Sequence, residues 1–123
     1  MDWKVIKKKY PKAFKSLKWF YEDVSIIINK ENRLGWYFTD GVHHVGMWTD
    51  IGNGMIYEFF DGQGLRIFIK QGTMDTYLDF DIENRIKDFK KEPRLSWKEK
   101  KATRQEIEET AFVKAFEILE KII

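Results

Sequence analysis

Apolar and polar positions separate most cleanly at the C-terminal end of the chain. At 100° per residue, Ile107, Ala111, Ala115, Ile118 and Ile122 share one sector of a helix, and Phe112, Phe116, Leu119 and Ile123 share the sector beside it. The combined arc is about 180°, interrupted only by Glu108, where a surface helix needs a stripe of about 100°. Thr103 followed by Glu106 forms a capping box, and Glu106, Glu108 and Glu109 set negative charge at the positive end of the helix dipole. The pattern predicts one helix over 103–123. An arc this wide is either gripped by two elements of the same chain or shared with another chain. Phe112, Phe116, Leu119 and Ile123 are therefore the candidate partner-binding residues.

Pro11 suits a first helical turn, and Ala13, Phe14, Leu17, Phe20, Tyr21 and Val24 follow at helical spacing, with Lys8, Lys12, Lys15 and Lys18 opposite. A helix from Pro11 to Glu22 is predicted. Val24 to Asn29 is β-branched and reads as a strand, ending in the polar turn Lys30-Glu31-Asn32. Asp40-Gly41 has the composition of a two-residue hairpin turn, which sets Phe38 opposite His43, Trp36 opposite Val45 and Leu34 opposite Met47. Asn53 is placed to cap a short helix carrying Met55, Ile56, Phe59 and Phe60, which Gly62 ends.

Leu65–Lys70 and Asp75–Ile82 make a second hairpin around Gln71-Gly72-Thr73-Met74. Lys70 opposite Asp75, Arg66 opposite Asp79 and Ile67 opposite Leu78 satisfy charge and core in one register. From Asn84 to Ala102 the pattern fades around Pro93, leaving Ile86, Phe89, Leu95 and Trp97 as isolated anchors; a short helix and then a loop are predicted. The order α-β-β-β-α-β-β-α describes a single α+β domain over 1–123, with an antiparallel sheet of about five strands and helices packed on one face.

Three blocks resemble short bacterial proteins. They are Tyr10-Pro11-Lys12-Ala13; Tyr57-Glu58-Phe59-Phe60-Asp61 with Gly64; and Thr103-Arg104, Ala111-Phe112 and Lys114 to Glu120. Together they are similar to short proteins without an assigned activity from gut Bacteroides-type bacteria and their phages. The resemblance covers about a quarter of the chain and does not reach Val24 to Trp48. It implies a small accessory protein, of a mobile element, and brings no catalytic residue with it.

Composition narrows the function classes. Hydrophobic residues at 43% and charged residues at 34% match a globular domain. No apolar run approaches the ~20 residues that span a bilayer, so no membrane partner is expected. Lys4 to Lys9 lead into Tyr10-Pro11 rather than an apolar core, so no signal peptide is expected. The absence of cysteine removes disulfides, thiolate metal sites and a cysteine nucleophile, and favours a cytoplasmic location. Aromatics at 16%, with five Trp, fill a small core or offer stacking platforms.

Charge is segregated. Residues 1–18 hold seven Lys against one Asp, a net of +6, and residues 84–104 again carry +6, while residues 19–83 carry −7 and residues 105–123 carry −3. Side by side, the two basic segments would form a patch able to meet phosphates. This gives an alternative reading, a nucleic-acid-binding accessory protein using 4–18 and 94–104. Its candidate residues are Lys8, Lys12, Lys15, Trp97, Lys98, Lys101 and Arg104. No helix-turn-helix, zinc-finger or RNA-recognition signature accompanies it.

Catalytic and metal chemistry find little. His43 and His44 with Asp40 or Asp50 invite a metal ion, but neighbouring strand residues point to opposite faces and a third ligand is missing. The expected places are the rim of the core for His43 and a stack near Tyr37 for His44. Asp75, Asp79, Asp81 and Glu83 share one strand face opposite Arg66 and Lys70, which predicts solvated ion pairs rather than acid–base work. Gly52-Asn53-Gly54 lacks the ending of a phosphate loop. Ser16, Ser25 and Ser96 have no histidine at a suggestive spacing. The sequence therefore predicts no metal, no cofactor and a non-enzymatic module that binds a protein partner or a second copy of itself.

Overall fold

The computed structural model describes residues 1–22, 24–39, 44–71, 77–85, 95–100 and 103–123, with the backbone alone at 39, 44–47, 71, 77–79 and 95–100. Two helices open the chain. Asp2 caps α1 (Trp3–Lys9) by accepting from the Val5 N–H at 3.1 Å, and Trp3 and Ile6 turn inward. This helix lies where the sequence predicts none, because its lysines hide a short apolar face of two residues. Tyr10 breaks the run, and Pro11 starts α2 (Pro11–Phe20), which buries Ala13, Phe14 and Leu17.

The start of α2 is completed from far away. Tyr10 offers no side-chain cap. Instead Glu120 Oε1 accepts from the Ala13 N–H at 2.9 Å, and Lys12 Nζ donates to the Ile123 carbonyl at 3.2 Å. An orphan donor of one helix is thus satisfied by the last turn of another.

The chain then forms β1 (Val24–Ile28), β2 (Leu34–Thr39) and β3 (His44–Asp50), an antiparallel sheet in the order β1-β2-β3. Asn29 Oδ1 accepts from the N–H groups of Glu31 and Arg33, and Asn32 takes the left-handed φ of 61° that closes the predicted polar turn. Val24 faces Phe38 and Ile28 faces Leu34. The β2–β3 register differs from the predicted one. Phe38 pairs with Val45 and Trp36 with Thr49; one residue separates the first members and three separate their partners, so β3 bulges. Thr39 pairs with His44, leaving four residues to join the strands where a two-residue turn was expected. Asp40, Gly41 and His43 lie outside the described residues. Gly35 is required by close approach: a Cβ there would come within 2.2 Å of the Trp48 ring.

Gly52, rather than Asn53, caps α3 (Asn53–Gly62), and the helix runs through Gly62 to a C-cap at Gln63. Gly64 supplies the positive φ of 87° for the return into β4 (Leu65–Gln71). β4 pairs with β5 (Tyr77–Asn84), which pairs with β6 (Leu95–Lys100) in a second antiparallel sheet, β4-β5-β6. Here the register is displaced by four residues from the predicted one: Lys70 meets Asp79, Arg66 meets Glu83 and Ile67 meets Ile82. Acids at 75, 79 and 83 repeat every four positions, so charge alone accepts either register. The displacement is even, so each residue keeps its predicted face. Leu95 to Lys100, predicted as loop, forms β6. The short helix predicted before it falls at 86–94, outside the described residues.

The fold is α+β, but the predicted single sheet is two three-stranded sheets among the described residues. The long C-terminal helix, α4 (Arg104–Ile122), begins with the predicted capping box: Glu106 N–H donates to Thr103 Oγ1, and Thr103 N–H donates to Glu106 Oε1. It lies against β4, β5 and α2. Its rings interlock with α3, Phe116 meeting Phe60 edge-on at 4.8 Å and Phe112 lying parallel to Phe60 at 6.4 Å. Trp3, Phe14, Ile26, Leu65, Phe80 and Ile82 complete the core around it.

Candidate functional site

The broad apolar arc of α4 is filled inside the chain. Phe112, Phe116 and Leu119, expected to face a partner, are buried in the core, and of that predicted set only Ile123 is exposed, at 43%. Two sheet strands, α2 and α3 share the arc, which accounts for its width without a second chain. Glu108, which interrupts the arc in the sequence, is also buried, at 8% exposure. Its Oε2 accepts from the Tyr57 hydroxyl at 2.8 Å, and Arg104 Nε lies 3.6 Å from its other oxygen. Burial, then the bond and charge of Glu108, raise the Tyr57 pKa well above its ordinary value. This is a buried polar bracket between α3 and α4, closed at both ends.

The acidic strand is not the wet face predicted. Asp81 is buried at 3% exposure and ion-pairs with Lys70. Arg66 turns to Asp61 at 3.0 Å, and Glu83 to Arg85 at 2.9 Å. Asp75 lies outside the described residues. Asp50, one oxygen ligand imagined for a metal, ion-pairs with Arg33 and accepts from Trp48 Nε1 at 3.3 Å. Among the described residues no group of three His, Cys, Asp or Glu converges as a metal site. The side chain of His44 is outside the described part; Tyr37 instead meets Trp48 edge-on at 5.6 Å.

Of the two basic segments, Lys12 and Arg104 stand at opposite ends of α4. Lys12 reaches the C-terminal end of α4, whereas Arg104 is the first residue of that 19-residue helix. At 1.5 Å per residue these ends stand about 28 Å apart. Trp97 takes the register position opposite Phe80, and Lys98 the position opposite Asp79. Their side chains, and Lys101, lie outside the described part.

What remains is the amino-terminal arm. Lys4, Lys7, Lys8, Lys9, Lys12, Lys15 and Lys18 are all exposed along α1 and α2, and among the described residues none forms an ion pair with a carboxylate. Lys12, Lys15 and Lys18 recur every three residues along α2, the spacing of one helix side, and Lys8 stands in the last turn of α1. At its end stands Trp19, 69% exposed, with Lys18 Nζ 5.6 Å from the ring centroid. Beneath the arm, between α2 and β1, a cleft of about 450 Å³ is floored by Phe14, Ile26, Ile27 and Ile28 and rimmed by Lys7, Lys15, Lys18 and Trp19.

The chain matches no family model, no curated protein and no solved structure. No described helix is long and apolar enough to cross a membrane. The sequence reading of residues 4–18 thus finds its lysines displayed together, while Trp19 was missed. Its signal was available: in a helix whose buried face is Ala13, Phe14 and Leu17, position 19 falls on the outer side, where a tryptophan has no packing role.

Proposed function

We propose that the protein is a small, non-enzymatic cytoplasmic binding module that takes an anionic macromolecular partner on the α1–α2 arm. The observation that carries this reading is the set of exposed lysines without carboxylate partners among the described residues, continued by an exposed Trp19. Several carboxylates elsewhere on the described surface, Asp61, Glu83 and Glu117 among them, are matched by a nearby cation. The positive potential of the arm is therefore left to act outward, where it attracts a polyanion and accelerates encounter. An accessory role for a mobile element, which the sequence resemblance implies, belongs to the same proposal.

Retention on an immobilised polyanion such as heparin tests it. The wild-type chain should elute only at raised salt, and Lys8→Gln, Lys12→Gln and Lys15→Gln combined should elute early. Lys121→Gln, on the far helix and paired with Glu117, serves as the control. Equal elution of the triple variant and wild type would remove the arm as the binding surface.

A further inference from the structure

We propose that the cleft between α2 and β1 is a subsite for single-stranded nucleic acid, with a base stacked on Trp19 and the adjoining phosphates held by Lys7, Lys15 and Lys18. This rests on the polyanion-binding reading of the arm and names the polyanion.

The cleft has two chemistries in one place. Its floor is apolar, made by Phe14, Ile26, Ile27 and Ile28; its rim is cationic, with three lysines from two helices. An occupant must therefore offer flat apolar surface and negative charge in every repeat unit. A nucleotide strand does this at each residue. A carboxylate-bearing peptide does it only if acidic and apolar side chains alternate to match.

The rim also carries an exposed aromatic ring, with Lys18 over one of its faces. Trp19 is the most exposed large apolar side chain among those described, and it contributes to the wall of the cleft rather than to the core. Every base has a π-face, so stacking on such a ring works for any sequence. Lysine, the only cation on the rim among the described residues, is a mobile point charge that follows a phosphate backbone without the planar fork with which arginine reads guanine. The arm adds Lys12 to the α2 row, a track advancing about 4.5 Å per step, and Lys8 in the last turn of α1. In a duplex the bases are stacked internally and cannot reach Trp19, so the geometry selects a single strand.

The test is fluorescence anisotropy with a labelled oligothymidylate, a labelled duplex of equal length and a labelled oligoglutamate of equal charge. All are titrated with the full chain over a range of salt. The single strand should bind tightest. Trp19→Ala should weaken it by about 5- to 150-fold, the loss expected for one stacked base, while leaving the salt dependence unchanged. Lys15→Gln and Lys18→Gln should each reduce the slope of log K against log salt by about 0.7. Trp19 is outside the core, so circular dichroism of Trp19→Ala should match wild type.

If Trp19→Ala binds the single strand within about twofold of wild type, or if duplex or oligoglutamate binds as tightly, the subsite is overturned. The polyanion reading survives that result provided the Lys8, Lys12 and Lys15 triple variant still loses binding. If none of the three polymers binds at low salt, both fall together.

Discussion

Removal of the Phe116 ring is the most direct way to ask whether the α4 arc is spent within the chain. Phe116 is fully buried and meets three rings: Trp3 at 6.0 Å, Phe59 at 6.2 Å and Phe60 at 4.8 Å. Phe116→Ala leaves a cavity among groups from α1, α3 and α4, none of which can collapse alone. A buried Phe→Ala change costs about 3–5 kcal/mol. The two edge-on contacts, with Trp3 and Phe60, favour the middle or upper part of that range. For a chain of 123 residues the unfolding entropy is roughly 0.26 kcal/mol per kelvin, so a loss of about 4 kcal/mol lowers Tm by about 15 °C. Thermal melts followed by circular dichroism at two well-separated protein concentrations would measure it. Both variant and wild type should melt at temperatures independent of concentration. A loss below about 1 kcal/mol, or a wild-type Tm that climbs with concentration and ceases to do so in the variant, would place Phe116 between chains and refute the reasoning.

Glu108→Ala strands the Tyr57 hydroxyl and should cost about 1–3 kcal/mol in urea denaturation, whereas Glu108→Gln keeps an acceptor and should cost less; an unchanged midpoint in the alanine variant would dismiss the bracket. Glu120→Ala removes the acceptor for the Ala13 N–H and should cost about 0.5–2 kcal/mol, like the loss of a helix cap, with hydrogen exchange quickening at the start of α2 and nowhere else in that helix. Burial and the neighbouring Glu58 charge push the Tyr21 pKa up to about 12. The folded chain therefore keeps a proton that the unfolded chain, titrating near 10, gives up. That contribution to stability is whole below pH 10 and disappears as pH rises through 12. Absorbance at 295 nm should show Tyr21 ionising later than in urea, and Tyr21→Phe should remove that delayed step; a native titration superimposing on the unfolded one contradicts it.

How much of this was legible in the chain depended on the range of the interaction. The α4 capping box is made by neighbours three residues apart, and it stands as read. So does the two-residue period that divides Leu65, Ile67 and Ile69 from Arg66, Phe68 and Lys70. Register was not legible, because acids at four-residue intervals satisfy Arg66 and Lys70 equally well after a slip of four. β6 was concealed by its lysines, although Leu95 and Trp97 two apart have strand spacing. The burial of Asp81 and Glu108 depends on Lys70 and on Tyr57, and no local pattern brings those partners in. For the candidate site, the lysines were legible as charge, and the separation of Lys12 from Arg104 was not, since it is set by how α2 docks along α4.

Among the described residues the two separate sheets leave four outer strands, and these differ in how they resist pairing with a stray chain. β3 is kinked by its bulge, β4 carries Arg66 and Lys70, and the sequence of β6 contains Lys98 and Lys100. β1 reads Val-Ser-Ile-Ile-Ile, with no charge, proline or irregularity in it. Such a strand is an open template for aggregation unless something stands beside it. The element in contact with it is α2, whose first turn is itself secured by Glu120. The C-terminal turn of the chain therefore acts as a latch on a hazard formed near its beginning, and loosening it would make the protein sticky well before the core melts.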